Sequence, residues 1–217
     1  MKLLHFAANY LGHPLFMPLY AYGFYWANTT EQSENYVHWI NFLMILLLLL
    51  VSPLMIYKIL YEQQRVQSIH LTQVQERIWP LGINLILWSS LVMYFTLVVP
   101  EFKQFFLGIS RTLLAFFIGG ALCVLGALIM AIKGHKSSLH MMGVTGLLTH
   151  LVLVEYYFEQ SYFSLWPLLF MTTVIIAIIG VGLVRYRIKA HSVNELFTGF
   201  CLGMFTQLIA VCILLIE

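Results

Sequence analysis

The run from His38 to Tyr61 leaves this chain little choice of fold. It carries one charge, Lys58, close to its end, and five consecutive leucines from Leu46 to Leu50. A helix of this length rises about 36 Å, more than the roughly 30 Å of a bilayer's hydrocarbon core. In hydrocarbon every backbone N–H and C=O must be paired inside the segment, which selects a helix. Pro53 removes one of those bonds and predicts a kink. Similar apolar runs follow at Pro80 to about Val99, Ile109 to Ile132, Met141 to about Tyr157, Phe163 to Val184 and Glu195 to Ile216. Hydrophobic residues make up 61% of the 217 positions and charged residues 9%, with a mean hydropathy of +0.87, which excludes an ordinary soluble domain. The expectation is an all-α, polytopic transmembrane helix bundle forming one integral membrane domain over 1–217, with six core spans.

Met1 to Trp26 is a further membrane segment in this reading, kinked or partly inserted at Pro14 and Pro18. Its aromatic residues, among them Phe16, Tyr20 and Tyr25, do not suit a cleaved signal peptide. Between Lys58 and Trp79 glutamines dominate, yet Val66, Ile69, Leu71, Val74 and Ile78 recur at helical spacing, which predicts an interfacial amphipathic helix. Gly119, Gly120 and Gly126 mark places where helices approach closely. Cys123, Cys201 and Cys212 lie in apolar runs without metal-ligand or disulfide spacing. The net charge of +2 gives no basic face beyond what membrane edges account for, so no nucleic-acid partner is expected; membrane lipids are.

Six crossings place the polar stretches 58–79, 133–140 and 185–195 on one membrane face. Nine of the eleven lysines and arginines fall on that face when Lys2 is counted, against Lys103 and Arg111 on the other. By the positive-inside rule this face is cytoplasmic.

Each of the three stretches carries chemistry. His191 and Glu195 are four residues apart, within side-chain reach on a helix, and Arg185 lies six residues before His191. An imidazole beside a carboxylate, with guanidinium groups nearby, suits a nucleophile or proton-transfer group working on a bound phosphate. Ser192-x-x-Glu195 is equally a capping box, in which Glu195 serves only the helix start and the cations only mark the membrane edge. In Ser137-Ser138-Leu139-His140 a hydroxyl and an imidazole stand beside the N–H groups that open a helix, an anion-binding arrangement or simply an N-cap. Arg77 sits at the mouth of the span that Pro80 begins. Together they supply two arginines, a hydroxyl, two histidines and a carboxylate on one face.

In order and spacing these residues resemble the type 2 phosphatidic acid phosphatase superfamily, the lipid phosphatase and haloperoxidase-like proteins, whose motifs run K-x6-R-P, P-S-G-H and S-R-x5-H-x3-D. Arg185, His191 and Glu195 match the third motif, with Val184 in place of serine and Glu in place of Asp, followed by Gly199-x-x-x-Gly203. Ser138 and His140 match the second, with Ser137 for proline and Leu139 for glycine. In the first, Pro80 is preceded by Trp79 at the arginine position and Thr72 at the lysine position, with Arg77 as a substitute cation. The resemblance covers about residues 58–205.

The resemblance implies a plasma-membrane enzyme, the inner membrane in a bacterium, usually with its site on the outer side, against the charge bias. It implies hydrolysis of a lipid phosphate or isoprenoid diphosphate through a phosphohistidine on His191, with Glu195 holding its tautomer and His140 protonating the leaving oxygen. Arg77, Ser138 and Arg185 would hold the phosphate, with no metal and no cofactor. The departures keep a second class open: a catalytically inactive relative serving as a structural or lipid-binding subunit of a membrane protein complex. A haem bundle is a third, on His38, His140, His150 and His191, of which only His150 lies well inside a span.

Overall fold

The computed structural model describes residues 11–28, 35–67, 73–98, 109–158 and 165–215, and these are helical with no strand among them. A short 3₁₀ turn, Pro14–Phe16, leads into α1 (Met17–Asn28). α2 (Asn35–Leu46) passes through a π turn at Leu47–Val51 into α3 (Ser52–Glu62). The π turn ends two residues before Pro53, so the strain of the proline is taken up by a widened turn within one continuous helix. After a 3₁₀ turn at Gln75–Arg77 come α4 (Ile78–Met93, continued by a π turn at Tyr94–Val98), α5 (Ile109–Ile132), α6 (Leu139–Phe158), α7 (Leu165–Arg187) and α8 (Val193–Leu215).

Five stretches are long and apolar enough to cross a membrane: His38–Glu62, Gln75–Leu97, Thr112–Ile132, Pro167–Arg187 and Val193–Leu214. α6 contributes a shorter apolar stretch, Leu139–Leu153. The twelve residues of α1 rise about 18 Å, short of a crossing, and they pack into the bundle through Met17, Ala21, Tyr22 and Phe24. Their neighbours in the core include Ile45, Leu49, Leu91, Phe117, Leu147 and Leu151. Large apolar side chains such as Ile86, Leu97, Ile176 and Phe205 point outward, as lipid-facing positions do.

The amphipathic helix expected over Lys58–Trp79 is not what forms. α3 runs on to Glu62 and stops in a Schellman motif, with Arg65 N–H on the Leu60 carbonyl at 2.9 Å and Gln64 in the left-handed region at φ 56°. Val66, 1% exposed, then anchors the loop inward, and the Glu76 carboxylate accepts the Gln67 N–H at 3.2 Å. Residues 68–72, which include Ile69, Leu71 and Thr72, lie outside the described residues. Of the apolar residues that suggested the stripe, Val66 lies in the loop after α3, Val74 just before the 3₁₀ turn and Ile78 at the start of α4.

The same stop recurs at the ends of α5 and α7. His135 N–H reaches the Met130 carbonyl at 2.9 Å over Gly134 at φ 78°, and Ala190 N–H reaches the Arg185 carbonyl at 3.1 Å over Lys189 at φ 55°. Three helices therefore end, and α4, α6 and α8 begin, in tight turns at one end of the bundle. α6 and α8 meet most closely. A Cβ on Gly199 would lie 2.5 Å from the Ser138 carbonyl oxygen, and one on Gly203 would run into the Met142 carbonyl and the Gly146 backbone. Of the other small positions, Gly120 makes room for the Trp88 ring and Gly126 for Leu202.

Candidate active site

The turns at that end are stitched to one another. Arg77, at the start of α4, donates from Nη1 to the Ser137 carbonyl at 2.8 Å. Ser138 donates its backbone N–H to the Glu195 carbonyl at 3.1 Å, which joins the start of α6 to the first turn of α8. Lys136 donates from Nζ to the Ala190 carbonyl at 2.8 Å. Arg77 thus meets the stretches 133–140 and 185–195 at one end of the bundle, which brings Arg77, Ser138, His140, Arg185, His191 and Glu195 together.

His191 follows the Schellman turn of α7, its N–H directed at the Arg185 carbonyl at 3.4 Å, so helix end and imidazole are held in fixed relation. Its Nδ1 lies 2.7 Å from Glu195 Oε2. Only half of the capping box forms. Ser192 Oγ accepts the Glu195 N–H at 3.3 Å and caps α8, while the Glu195 carboxylate faces His191 and, at 3.9 Å, Lys136. Burial pushes the His191 imidazole down to about 4, opposed by its bond to Glu195 and reinforced by Lys136 and Arg77. The ring is therefore neutral near pH 7. Because a carboxylate can only accept, Nδ1 carries the hydrogen and Nε2 keeps a free lone pair.

On the other side of the site Arg185 Nη2 stands 2.7 Å from both His140 nitrogens. A guanidinium can only donate, so whichever ring nitrogen takes the bond carries no hydrogen in this arrangement. Three cations gather here, since Arg77 and Arg185 both act electrostatically on Lys136. Burial lowers the Lys136 ammonium, the two arginines add to that, and Glu195 opposes it. Two donors have no hydrogen-bond partner, Ser138 Oγ, whose residue is 0% exposed, and Arg185 Nε. Orphaned buried donors amid surplus positive charge are what an anion would satisfy.

Lys136 was missed in the sequence because a lysine at a helix boundary reads as a membrane edge. His13 was missed because it precedes the matching region, and its ring packs edge-on against His140 at 4.9 Å between centroids. Of the other histidines in the haem reading, His38 stacks on Trp26 at 5.2 Å and His150 packs on Phe116 at 5.0 Å. No protein-family model, curated protein or solved structure matches the chain, so the reading of the site stands on its own geometry.

Proposed function

We propose that this is an integral membrane phosphatase of the type 2 phosphatidic acid phosphatase kind, with six crossings, that acts on a lipid phosphate or isoprenoid diphosphate. One observation carries the reading: His191, its Nδ1 2.7 Å from Glu195 Oε2, stands among Arg77, Lys136 and Arg185 beside the unpartnered Ser138 hydroxyl. His191 Nε2 attacks phosphorus, the bond from phosphorus to the leaving oxygen breaks, and Glu195 stabilises the positive charge that grows on the imidazole. Arg77, Arg185, Ser138 Oγ and the N–H groups opening α6 hold the equatorial oxygens. An arriving phosphate dianion draws Arg185 away from His140 and, by its charge, raises that ring's affinity for a proton. His140 then gives this proton to the leaving oxygen. Water, with the same ring taking its proton, hydrolyses the phosphohistidine and returns His191 neutral.

The substrate's acyl or prenyl tail stays in the lipid while its headgroup reaches the site at the cytoplasmic surface of the plasma membrane, the side favoured by the basic residues. A second reading, a catalytically silent relative acting as a lipid-binding subunit of a membrane complex, draws on one feature, the Arg185–His140 contact that disfavours a protonated His140. The test is purified full-length protein given a panel of lipid phosphates and isoprenoid diphosphates with and without chelator. Phosphate release insensitive to chelator is expected. No release from any substrate refutes catalysis and leaves the silent relative, and a Soret band would bring back haem.

A further inference from the structure

We infer that His13, carried in by the segment before α1, is a further phosphate-site residue that donates its Nε2–H to the leaving-group side of a diphosphate. The inference rests on the phosphate reading of the site. The Leu15 N–H points at His13 Nδ1 at 3.3 Å, which makes that nitrogen the acceptor and puts the ring hydrogen on Nε2, at the far side of the ring from the turn. The turn itself is fixed. Phe16 N–H bonds the His13 carbonyl at 3.0 Å, Pro14 presets its own φ, and both Pro14 and Met17 are seated on α6 where a Cβ on Gly143 would lie 3.1 Å from each. One turn of helix separates Gly143 from His140, against whose ring His13 packs at 82°. Arg185 lies within electrostatic range of the same ring.

His140 is the group that meets the leaving oxygen, so a donor packed against it is on the leaving-group side. When His191 attacks the terminal phosphorus of a diphosphate, the bond from that phosphorus to the bridging oxygen breaks. The departing group is a lipid monophosphate whose oxygens can accept the Nε2–H. A monophosphate ester leaves as a single alkoxide oxygen, already served by His140, and gives His13 nothing to bind. His13 therefore sets a preference for diphosphates.

The test compares farnesyl diphosphate with a diacyl phosphatidic acid on the full chain, in wild type, His13→Phe and His13→Asn. Phe keeps the ring packing without the donor, and Asn keeps a side-chain acceptor for the Leu15 N–H but is too short to reach the site. Both variants are expected to lose roughly tenfold or more in kcat/KM for the diphosphate and little for the monophosphate, the loss of one charge-assisted hydrogen bond. Equal losses on both substrates, or a preference retained in His13→Asn, overturn the inference. If wild type turns over neither, the same comparison is read from thermal shifts with inorganic pyrophosphate and inorganic phosphate. A pyrophosphate preference abolished by both variants upholds His13 while the catalytic reading falls, and no preference in wild type sinks His13 as well.

Discussion

Replacing Gly199 by alanine tests the joint on which the whole site depends. The added Cβ would sit 2.5 Å from the Ser138 carbonyl oxygen and 3.2 Å from Met141 Cβ, and the first of these is backbone that cannot rotate away. Ordinary contact begins near 3.4 Å, so α8 must move off α6 by about 0.9 Å at this point. The Ser138 N–H to Glu195 carbonyl bond, now 3.1 Å, opens to roughly 4 Å and is lost. Overpacking costs about 1–3 kcal/mol and a buried N–H left unpaired a further 1–3, part of which relaxation recovers, giving about 2–4 kcal/mol in all. For a chain of this size that is a fall in Tm of roughly 5–15 °C. The control is Gly82→Ala in α4, where an added Cβ meets nothing within 4 Å and alanine's better helix propensity leaves stability unchanged or higher. Thermal unfolding of the purified protein in one detergent, followed by circular dichroism, reads both. If Gly199→Ala melts with wild type while Gly82→Ala does not rise above it, the close α6–α8 approach is wrong.

Three further outcomes follow from the site. His191→Ala should abolish phosphate release while Glu195→Gln retains a reduced rate, because one removes the nucleophile and the other only its orienting charge; equal, mild losses would return both residues to capping and packing roles. Since burial holds His191 at about 4 against an ordinary 6.5, the unfolded chain binds the extra proton first, and the stability this site contributes is present above pH 6.5 and lost as pH falls toward 4. Tm recorded across that window should drop more steeply for wild type than for His191→Asn, and parallel curves would contradict the buried neutral ring. For sidedness, Ser137 is 3% exposed and unsuitable for labelling, so an exposed His135→Cys in a background without exposed Cys212 is the probe. It should resist a membrane-impermeant maleimide in intact cells, and rapid labelling would place the motif face outside.

What could be read from the sequence was whatever depends on length, period and chain parity. The α5 bounds coincide with the expected Ile109 to Ile132, and Arg77, the 133–140 turn and the 185–195 turn, expected on one face, do meet at one end of the bundle. Sequence failed where a side chain's direction decides the matter. Glu195 is at the right spacing both to cap α8 and to meet His191, and only the rotamer distinguishes them. Val66 and Val74 look like a helical face, but α3 has already stopped at Gln64, a left-handed residue with no glycine to announce it, as Lys189 stops α7. Lys136 and His13 escaped because their roles lie in contacts across 54 and 127 positions, with Ala190 and with His140.

If the proposed phosphatase reading holds, the departures from the resembled motifs can be weighed against what stands in their place. A leucine where glycine is expected threatens to fill the phosphate cradle, yet Leu139 packs against the cluster of Leu81, Cys123, Ala127 and Met142 between α4, α5 and α6, so its side chain is accounted for by apolar neighbours while its N–H still opens the helix. The resembled lysine is absent from the sequence at Thr72, and Lys136 supplies a cation 3.9 Å from the Glu195 carboxylate. On the proposed reading Lys136 also limits how far Glu195 can raise the basicity of His191, because it shares the same oxygen. Glutamate, one methylene longer than the aspartate of the resembled motif, brings Oε2 to 2.7 Å of His191 Nδ1. On the proposed reading, then, a cation the resembled motif would place at Thr72 has a counterpart in Lys136, 3.9 Å from the Glu195 carboxylate.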